Sequence, residues 1–374
     1  MNNLRILLFN WRCPKHPEAG GAEKATYEIS KRWVGWGHEV HLVTGCFPGG
    51  RINDCIDGIK ITRLGGKYSV YPRTFLHYLF TLRGKYDIVI DEINTIPYFT
   101  NLYVKQPHVA IVHQLAANVL SEELPASQAK VLAFLEPRAL RGYNKTHIFT
   151  SESTKTDLLR IGIPPENIHV INYGVNHNIY KPGCAKSSYP HVFYLGRLKK
   201  FKGVHLLIQA MAQVVKEIPE AKLSIIGDGD VDYETELKLL VTKLQLSEVV
   251  VFHKLGFRDS LEEKTRIMQN AWVSVFPSAR EGFGLVVVEA NACGTPTIAT
   301  NVPGLRETVR NNETGILVDR NVDALAVAIK RVLNDNQLRE RLSRQAVEWS
   351  VMFDWNRTAL EMMNVMKKIV AEAN

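Results

Sequence analysis

Two glutamates, Glu281 and Glu289, flank a Gly-Phe-Gly turn in the segment SAREGFGLVVVEANACGTPTIAT, which spans residues 278–300. The apolar residues before the turn predict a buried strand, and those after it predict a short helix that ends at Gly294. The first turn of such a helix presents free N–H groups and a positive dipole end, which suit a phosphate. Because carboxylates repel phosphate, we expect the two glutamates to bind sugar hydroxyls on either side of a diphosphate. That ligand would be a nucleotide sugar.

A second group of polar residues lies in YLGRLKKFKG, residues 194–203. Gly196 and Arg197 follow a predicted strand, and Lys202 precedes a predicted helix. Two or more cations at a strand end suit a diphosphate. Since runs of charge are commonly solvated, a basic surface loop is the alternative interpretation.

Three further patterns have competing explanations. Asp228 and Asp230 form a D-x-D pattern in IIGDGD, which a tight backbone turn explains better than a metal ion does. GGAEKAT opens the first predicted helix without a G-x-G-x-x-G fingerprint, but its paired glycines allow close approach of a diphosphate. His113 ends the strand VAIVH, where it serves either the structure or a ligand at the strand end.

The elements that position these residues alternate along the chain. Apolar strands alternate with amphipathic helices, which predicts parallel sheets covered on both faces, with ligands beyond the carboxyl ends of the strands. The stretch at residues 172–190 is rich in Pro, Gly, Ser and Asn and predicts a linker. We therefore expect two α/β domains, residues 1–182 and 183–353, facing a central cleft. The helix at about 354–374 is expected to pack back on the first domain.

Composition narrows the functional class. The 374 residues suffice for two cores, and 45% hydrophobic and 22% charged residues are typical of a soluble globular protein. No stretch reaches the roughly 18 apolar residues of a membrane span, and the N-terminus lacks a signal-peptide pattern, so a cytoplasmic protein is expected. Five scattered cysteines without a C-x-x-C pair disfavour disulfides and structural zinc. The net charge of +8, without a nucleic-acid-binding motif, favours phosphorylated ligands or an anionic membrane over nucleic acid.

The segment YPRTFLHYLFTLRGK places Phe75, Leu76, Leu79 and Phe80 at helical spacing between basic residues. Two interpretations are open. We favour a stripe that packs on the sheet, and the alternative is a helix that lies on an anionic membrane.

Together these motifs resemble those of the GT-B glycosyltransferases, specifically the large retaining family 4, nearly from end to end. EGFGLVVVE is similar to the E-x7-E motif of that family, with Glu281 and Glu289 as its glutamates. GRLKKFKG resembles its phosphate-binding segment, and GGAE its first-domain glycine loop. YGVN resembles the end of the first domain, with Asn176 where aspartate is common. The chain departs from the family at FHKLGF, residues 252–257, where F-x-G is frequent.

The resemblance implies a role for each matching residue. Glu289 would bind the ribose hydroxyls, and Glu281 those of the donor sugar. Arg197 and Lys202 would neutralise the diphosphate, and His113 would lie beside the reacting sugar. The remaining donor-binding positions are Gly21, Gly196, Gly256, Phe257, Gly282, Phe283, Gly284, Leu285 and Val286.

The implied activity is a retaining transfer of a sugar from a nucleotide donor, such as a UDP- or GDP-sugar, to a glycan, lipid-linked or other hydroxyl acceptor. Neither a metal nor another cofactor is expected, because cations and helix ends take the metal's place on the diphosphate. We expect a role in cell-surface polysaccharide, glycolipid or glycoprotein assembly, peripherally on the inner face of the cell membrane. The alternatives are a non-catalytic nucleotide-sugar-binding protein and a GT-B epimerase or phosphorylase.

Overall fold

The computed structural model describes residues 3–115, 125–254 and 261–373. Within them the chain divides into two compact units. The first unit contains most of the chain up to Gly174, together with the residues from Trp355 onwards. The second contains Val175–Asp354. The chain leaves the first unit after Gly174 and enters the second at Val175. This crossing and the predicted boundary at residue 182 both lie in the Pro- and Gly-rich stretch 172–190.

The first unit is built on an eight-stranded sheet. Its strands are β1 (Arg5–Phe9), β2 (Glu39–Thr44), β3 (Asn53–Ile56), β4 (Ile59–Arg63), β5 (Ile88–Ile93), β6 (His108–Val112), β7 (His147–Thr150) and β8 (Ile168–Val170). Their order in the sheet is β3-β4-β2-β1-β5-β6-β7-β8. Every residue of the central strand β5 is buried, as expected for a sheet that is covered on both faces.

Neighbouring strands of this sheet are parallel, except for β3 and β4 at one edge. These two form a hairpin through Asp57 and Gly58, whose φ angles are 48° and 80°. Positive φ at both central residues is the geometry of a tight hairpin turn, which Asp-Gly favours. The prediction of a parallel sheet is therefore confirmed except for this edge strand.

The helices of the first unit lie between its strands, with one added from the end of the chain. They are Gly21–Gly35, Val70–His77, Thr100–Tyr103, Ala126–Arg141, Glu152–Arg160 and Trp355–Ala373. The last of them packs against the first, and Trp33 Nε1 donates a hydrogen bond to Ala359 O at 3.0 Å. The chain thus returns to its first unit after completing the second.

The second unit contains a six-stranded, wholly parallel sheet. Its strands are β9 (His191–Leu195), β10 (Lys222–Ile226), β11 (Val250–His253), β12 (Val273–Phe276), β13 (Thr297–Thr300) and β14 (Gly315–Val318), in the order β11-β10-β9-β12-β13-β14. Its helices are Val204–Val214, Val231–Lys243, Leu261–Asn270, Leu285–Ala292, Leu305–Thr308, Val322–Asn334 and Asn336–Ser350.

Both sheets are doubly wound, because the first strand of each unit lies inside the sheet and the chain then builds outwards in both directions. The order reverses between β1 and β5 in the first unit and between β9 and β12 in the second. Such switch points are where open α/β sheets bind ligands. The predicted fold class, two Rossmann-like parallel-sheet domains, is confirmed.

The segment YPRTFLHYLFTLRGK, residues 71–85, is called here the aromatic segment. We favoured a stripe that packs on the sheet, and three of its four apolar residues contradict that interpretation. The segment forms the helix Val70–His77 and a π-helical turn, Tyr78–Leu82. Phe75, Leu76 and Phe80 are 37%, 50% and 84% exposed. The side chains that do pack inwards are Val70, Thr74, Tyr78 and Leu82. Leu79, the fourth residue of the predicted stripe, is half-buried and packs against the core of the unit, as predicted. The other three are exposed, because a different set of residues, four positions apart, forms the main inward face. None of the helices in the described ranges has the length and apolar character needed to cross a bilayer.

Candidate active site

The carboxyl ends of β9 and β12 meet at the switch point of the second sheet, and both lead into predicted site residues. Gly196 and the exposed Arg197 follow β9, and Lys202 lies in the next short turn. Gly203 has φ 70°, and a Cβ there would lie 2.2 Å from Pro277 O. Only glycine therefore allows the turn that carries Lys202 to lie against the end of β12.

Glu281 is joined directly to Lys202. Lys202 Nζ lies 2.6 Å from Glu281 Oε1, and the two side chains are 15% and 17% exposed. Ser278 Oγ donates to the same Oε1 at 2.8 Å. The sequence assigned Lys202 to a diphosphate and Glu281 to a sugar, whereas in this structure their charges neutralise each other.

The Gly-Phe-Gly turn leads into a helix as predicted. Gly284, with φ 87°, is the N-cap of the helix Leu285–Ala292. The N–H groups of Leu285 and Val286 lie in the first turn of this helix, where no intrahelical acceptor exists. Phe283 is buried and packs against Phe353, with ring centroids 5.7 Å apart. This contact anchors the Gly-Phe-Gly turn to the rest of the second unit. The first turn of the helix can therefore donate to phosphate or hydroxyl oxygens.

Glu289 lies one turn further along the same helix and is only 5% exposed. Burial, with a further contribution from the Glu289 charge, raises the pKa of the Cys293 thiol to about 12. Glu289 is thus a nearly buried carboxylate close to Cys293, and its binding of the ribose hydroxyls stays a prediction.

His113 follows β6 in the first unit, and protein groups contact both of its ring nitrogens. Nε2 lies 2.8 Å from Glu92 Oε1, and Nδ1 lies 2.6 Å from the Tyr173 hydroxyl. Glu92 is 1% exposed and also accepts from Thr26 Oγ1 at 2.6 Å. These contacts support a structural role for His113, and its place beside a reacting sugar stays a prediction.

Gly21 is the first residue of the helix Gly21–Gly35. Just before it, Gly20 N donates to Glu23 Oε2 at 2.7 Å, and Arg12 Nε donates to Glu23 Oε1 at 2.9 Å. Since Glu23 is 1% exposed, a buried ion pair anchors the glycine pair at the start of this helix.

The D-x-D pattern has a backbone explanation in the structure. Gly227 has φ 137°, and a Cβ at this position would lie 2.1 Å from Gly196 O. Asp230 caps the following helix by accepting from Asp232 N at 3.1 Å. No cluster of three or more His, Cys, Asp or Glu side chains that could hold a metal occurs in the described parts of the chain. Gly256 and Phe257 lie outside the described residues.

Sequence reasoning overlooked two residues that shape the Glu281 turn. Ser278 binds the Glu281 carboxylate, although it reads as an ordinary residue after a strand. Gly304 has φ 84°, and a Cβ there would lie 2.2 Å from Glu281 O. The Pro-Gly pair in NVPGLRE was the available signal for a special backbone position at Gly304.

The fold and its switch-point residues define a class of protein, the GT-B glycosyltransferases. Two solved structures share the fold over nearly the whole chain. Sucrose-phosphate synthase from Thermosynechococcus elongatus has a TM-score of 0.82 at 22% identity, with 99% of this chain and 100% of that chain covered. HepE from Anabaena, solved with UDP and glucose, has a TM-score of 0.77 at 22% identity, with 98% and 100% covered.

Sequence comparison identifies the family. The model for glycosyl transferases group 1 matches residues 179–349, and that for Glycosyltransferase Family 4 matches residues 19–179. D-inositol 3-phosphate glycosyltransferase from Acidothermus cellulolyticus is 31% identical over 287 residues, which are 71% of this chain and 63% of that relative. The chain thus matches less than two thirds of the relative's length. It belongs to the glycosyltransferase family that these two models describe.

Proposed function

We propose that the protein is a retaining, metal-independent transferase that moves a sugar from a nucleotide diphosphate donor to a hydroxyl acceptor. One observation carries the proposal: Lys202, Glu281 and the start of the helix Leu285–Ala292 lie together beyond the switch point of the second sheet. A cation, a carboxylate and free N–H groups match the diphosphate charge, the sugar hydroxyls and the phosphate oxygens of such a donor.

The chemistry follows from the charges that develop. Cleavage of the bond between the anomeric carbon and the phosphate oxygen leaves positive charge on the sugar and negative charge on the diphosphate. Arg197, Lys202 and the N–H groups of the helix start would stabilise the departing diphosphate, and one such donor is typically worth about 3 kcal/mol. The diphosphate oxygen would take the acceptor's proton as the acceptor oxygen bonds to the same face of the sugar, which retains the configuration. These groups supply the positive charge that a metal otherwise provides.

The donor and acceptor are proposed only as classes. HepE was solved with UDP and glucose, which makes UDP-glucose a reasonable first donor to test. The acceptor would be a hydroxyl of a glycan or of a lipid-linked molecule, in the assembly of cell-surface polysaccharide, glycolipid or glycoprotein.

A screen of purified protein against UDP- and GDP-sugars, with EDTA and without acceptor, tests this proposal. Thermal shift reports binding, and slow release of nucleotide reports turnover. Glu289→Ala and Arg197→Ala should abolish the shift, whereas Arg344→Ala, at an exposed arginine of the same unit, should preserve it. Absence of a shift with every nucleotide sugar would refute the proposal.

Product analysis separates the alternatives. Nucleotide release with formation of a new glycosidic bond supports a transferase, and NMR of the anomeric proton tests retention. Binding without turnover would indicate a non-catalytic protein, and conversion of the nucleotide sugar without nucleotide release would indicate an epimerase. Sugar phosphate formation in the presence of inorganic phosphate would indicate a phosphorylase.

The exposed aromatic segment of the first unit favours a membrane location for this activity. Phe80 and Leu76 project into solvent from a stretch, residues 58–86, that contains basic residues and no Asp or Glu. Apolar side chains within a positively charged surface are complementary to an anionic bilayer. The apolar side chains enter the interface, and the cations contact lipid phosphates. We propose that this surface docks on anionic lipid.

Cosedimentation with vesicles of phosphatidylcholine, alone or with phosphatidylglycerol, tests the docking surface. Binding should require phosphatidylglycerol, weaken with salt and fall severalfold in the double variant Leu76→Ser, Phe80→Ser. The double variant Leu239→Ser, Val327→Ser is the matched control, because these side chains are 66% and 61% exposed in the second unit. Equal loss in both double variants, or no binding by the unmodified protein, would contradict the membrane proposal.

A further inference from the structure

Ser278 is a buried serine whose hydroxyl has a charged acceptor. It follows β12 after one proline and is 0% exposed. Its backbone carbonyl accepts from Thr300 Oγ1 at 2.5 Å, which fixes the residue to the end of the neighbouring strand. From this fixed position its Oγ reaches Glu281 Oε1 at 2.8 Å. The backbone of Ser278 is therefore held in place, and its buried hydroxyl is satisfied by the Glu281 carboxylate.

Glu281 has two anchors of different chemical kinds on one oxygen. Lys202 approaches Oε1 as a cation, and Ser278 approaches it as a neutral hydroxyl. The lysine ammonium sits on a flexible stem and is strongly attracted to phosphate. A diphosphate at this position would compete with Glu281 for Lys202, whereas it would compete only weakly for a buried neutral hydroxyl that is fixed by the strand ends.

We infer that Ser278 is a positioning residue, which holds the Glu281 carboxylate in place for the donor sugar while Lys202 turns to the diphosphate. The inference rests on the proposed function, and it makes Ser278 a determinant of the sugar part of donor recognition. The hydroxyl would act through Glu281 and would not contact the donor itself.

The role makes a selective prediction. A nucleoside diphosphate without a sugar does not need Glu281, so loss of the Ser278 hydroxyl should leave its affinity unchanged within about twofold. The nucleotide sugar should bind about tenfold more weakly, since the carboxylate that meets its sugar loses one of its two hydrogen-bonding anchors. A purely structural serine would weaken both ligands together.

The chain offers a matched control in Ser274. This serine lies on β12, is also 0% exposed, and binds Thr297 Oγ1 at 2.7 Å and Pro296 O at 3.3 Å. Ser274→Ala therefore removes the same group from a position four residues earlier, on β12 itself, where the hydroxyl bonds Thr297 and Pro296 and not Glu281. Ser278→Cys accompanies Ser278→Ala, because the thiol fills the space of the hydroxyl and donates only weakly.

Isothermal titration of each variant with UDP and UDP-glucose, or with GDP and GDP-mannose if the screen selects that donor, tests the inference. We expect the affinity ratio of nucleotide sugar to nucleotide to fall about tenfold in Ser278→Ala, to fall also in Ser278→Cys, and to stay constant in Ser274→Ala. An unchanged ratio in the Ser278 variants, or an equal fall in Ser274→Ala, would overturn the inference alone. Failure of the unmodified protein to bind any nucleotide sugar would overturn the proposed function and the inference together.

Discussion

At the residue scale, several charges of this protein are buried in pairs. Arg12 and Glu23 are the most enclosed ion pair near a predicted ligand-binding position, with side chains 8% and 1% exposed. Glu23 also accepts from the Gly20 N–H, so one carboxylate fixes both the loop after β1 and the start of the helix Gly21–Gly35. The position of Gly21 therefore depends on the buried pair of Arg12 and Glu23, which binds the backbone of the preceding residue.

Removing one member of this pair should be strongly destabilising. Arg12→Ala leaves the Glu23 carboxylate buried without its cation, so we expect the free energy of unfolding to fall by about 3–5 kcal/mol. Urea titration followed by circular dichroism measures the change. Arg357→Ala is the control, since this arginine pairs with Glu361 at the surface, where solvent screens the charges and loss of the pair should change the free energy of unfolding very little. A loss below about 1 kcal/mol in Arg12→Ala would contradict the anchoring role.

At the element scale, the turns between strands and helices decide where the site residues lie. Gly203, Gly284 and Gly304 all have positive φ, and all three adjoin the segments that carry Lys202 or Glu281. A side chain at Gly203 would collide with Pro277 O next to the end of β12, and one at Gly304 would collide with Glu281 O in the Gly-Phe-Gly turn. The close approach of the Lys202 turn to β12 is thus a property of the backbone as much as of the charges.

Two glycine substitutions with different expected effects on the free energy of unfolding test whether the backbone constrains the Lys202 turn. Gly203→Ala should reduce the free energy of unfolding by about 2 kcal/mol or more, because of the positive φ and the contact with Pro277 O. Gly35→Ala should be neutral or raise it by up to about 1 kcal/mol, because this glycine is helical and has open space around its Cβ position. Thermal unfolding of both variants measures the difference. Similar shifts for the two would show that the Gly203 turn is not constrained.

At the scale of the whole molecule, each unit contains a buried neutral histidine. Burial lowers the pKa of His41 to about 4 in the first unit, and it lowers the pKa of His191 to about 4 in the second. His41 contacts Tyr86 and Thr62, and His191 contacts Ser224, so both rings are held in hydrogen bonds that suit the uncharged form. An unfolded histidine has a pKa near 6.5 and binds its proton earlier as the pH falls.

The protein should therefore lose stability on mild acidification. The contribution of each histidine is fully present above pH 6.5 and disappears as the pH falls to about 4, because the unfolded chain binds more protons in this window. The loss should be about 3 kcal/mol for each histidine over the full window. Urea titrations at pH 7.5, 5.5 and 4.5 measure it, and His191→Gln should flatten the dependence for the second unit. Constant stability between pH 7.5 and 4.5 would disprove the assignment.

Local sequence signals predicted the strands and helices of the second unit well, because its apolar runs are regular and glycine or proline marks its turns. The strand before Pro277, the Gly-Phe-Gly turn and the helix Leu285–Ala292 follow from apolar runs interrupted by glycine and proline. The helix Val70–His77 shows the limit of such patterns. Its apolar positions suggested one packed face, yet Phe75 and Leu76 are exposed, since the position of the neighbouring sheet decided which side is buried.

The sequence by itself determined the alternation of strands and helices, the doubly wound class and the residues of the E-x7-E segment, because each depends on residues near in the chain. Only the tertiary structure decided that Lys202 pairs with Glu281, that Ser278 binds the same carboxylate oxygen and that Glu92 and Tyr173 enclose His113. The Lys202–Glu281 pair joins residues 79 positions apart, and their contact depends on β9 and β12 being neighbours in the sheet. Strand order depends on packing across the whole unit, and no local propensity encodes it.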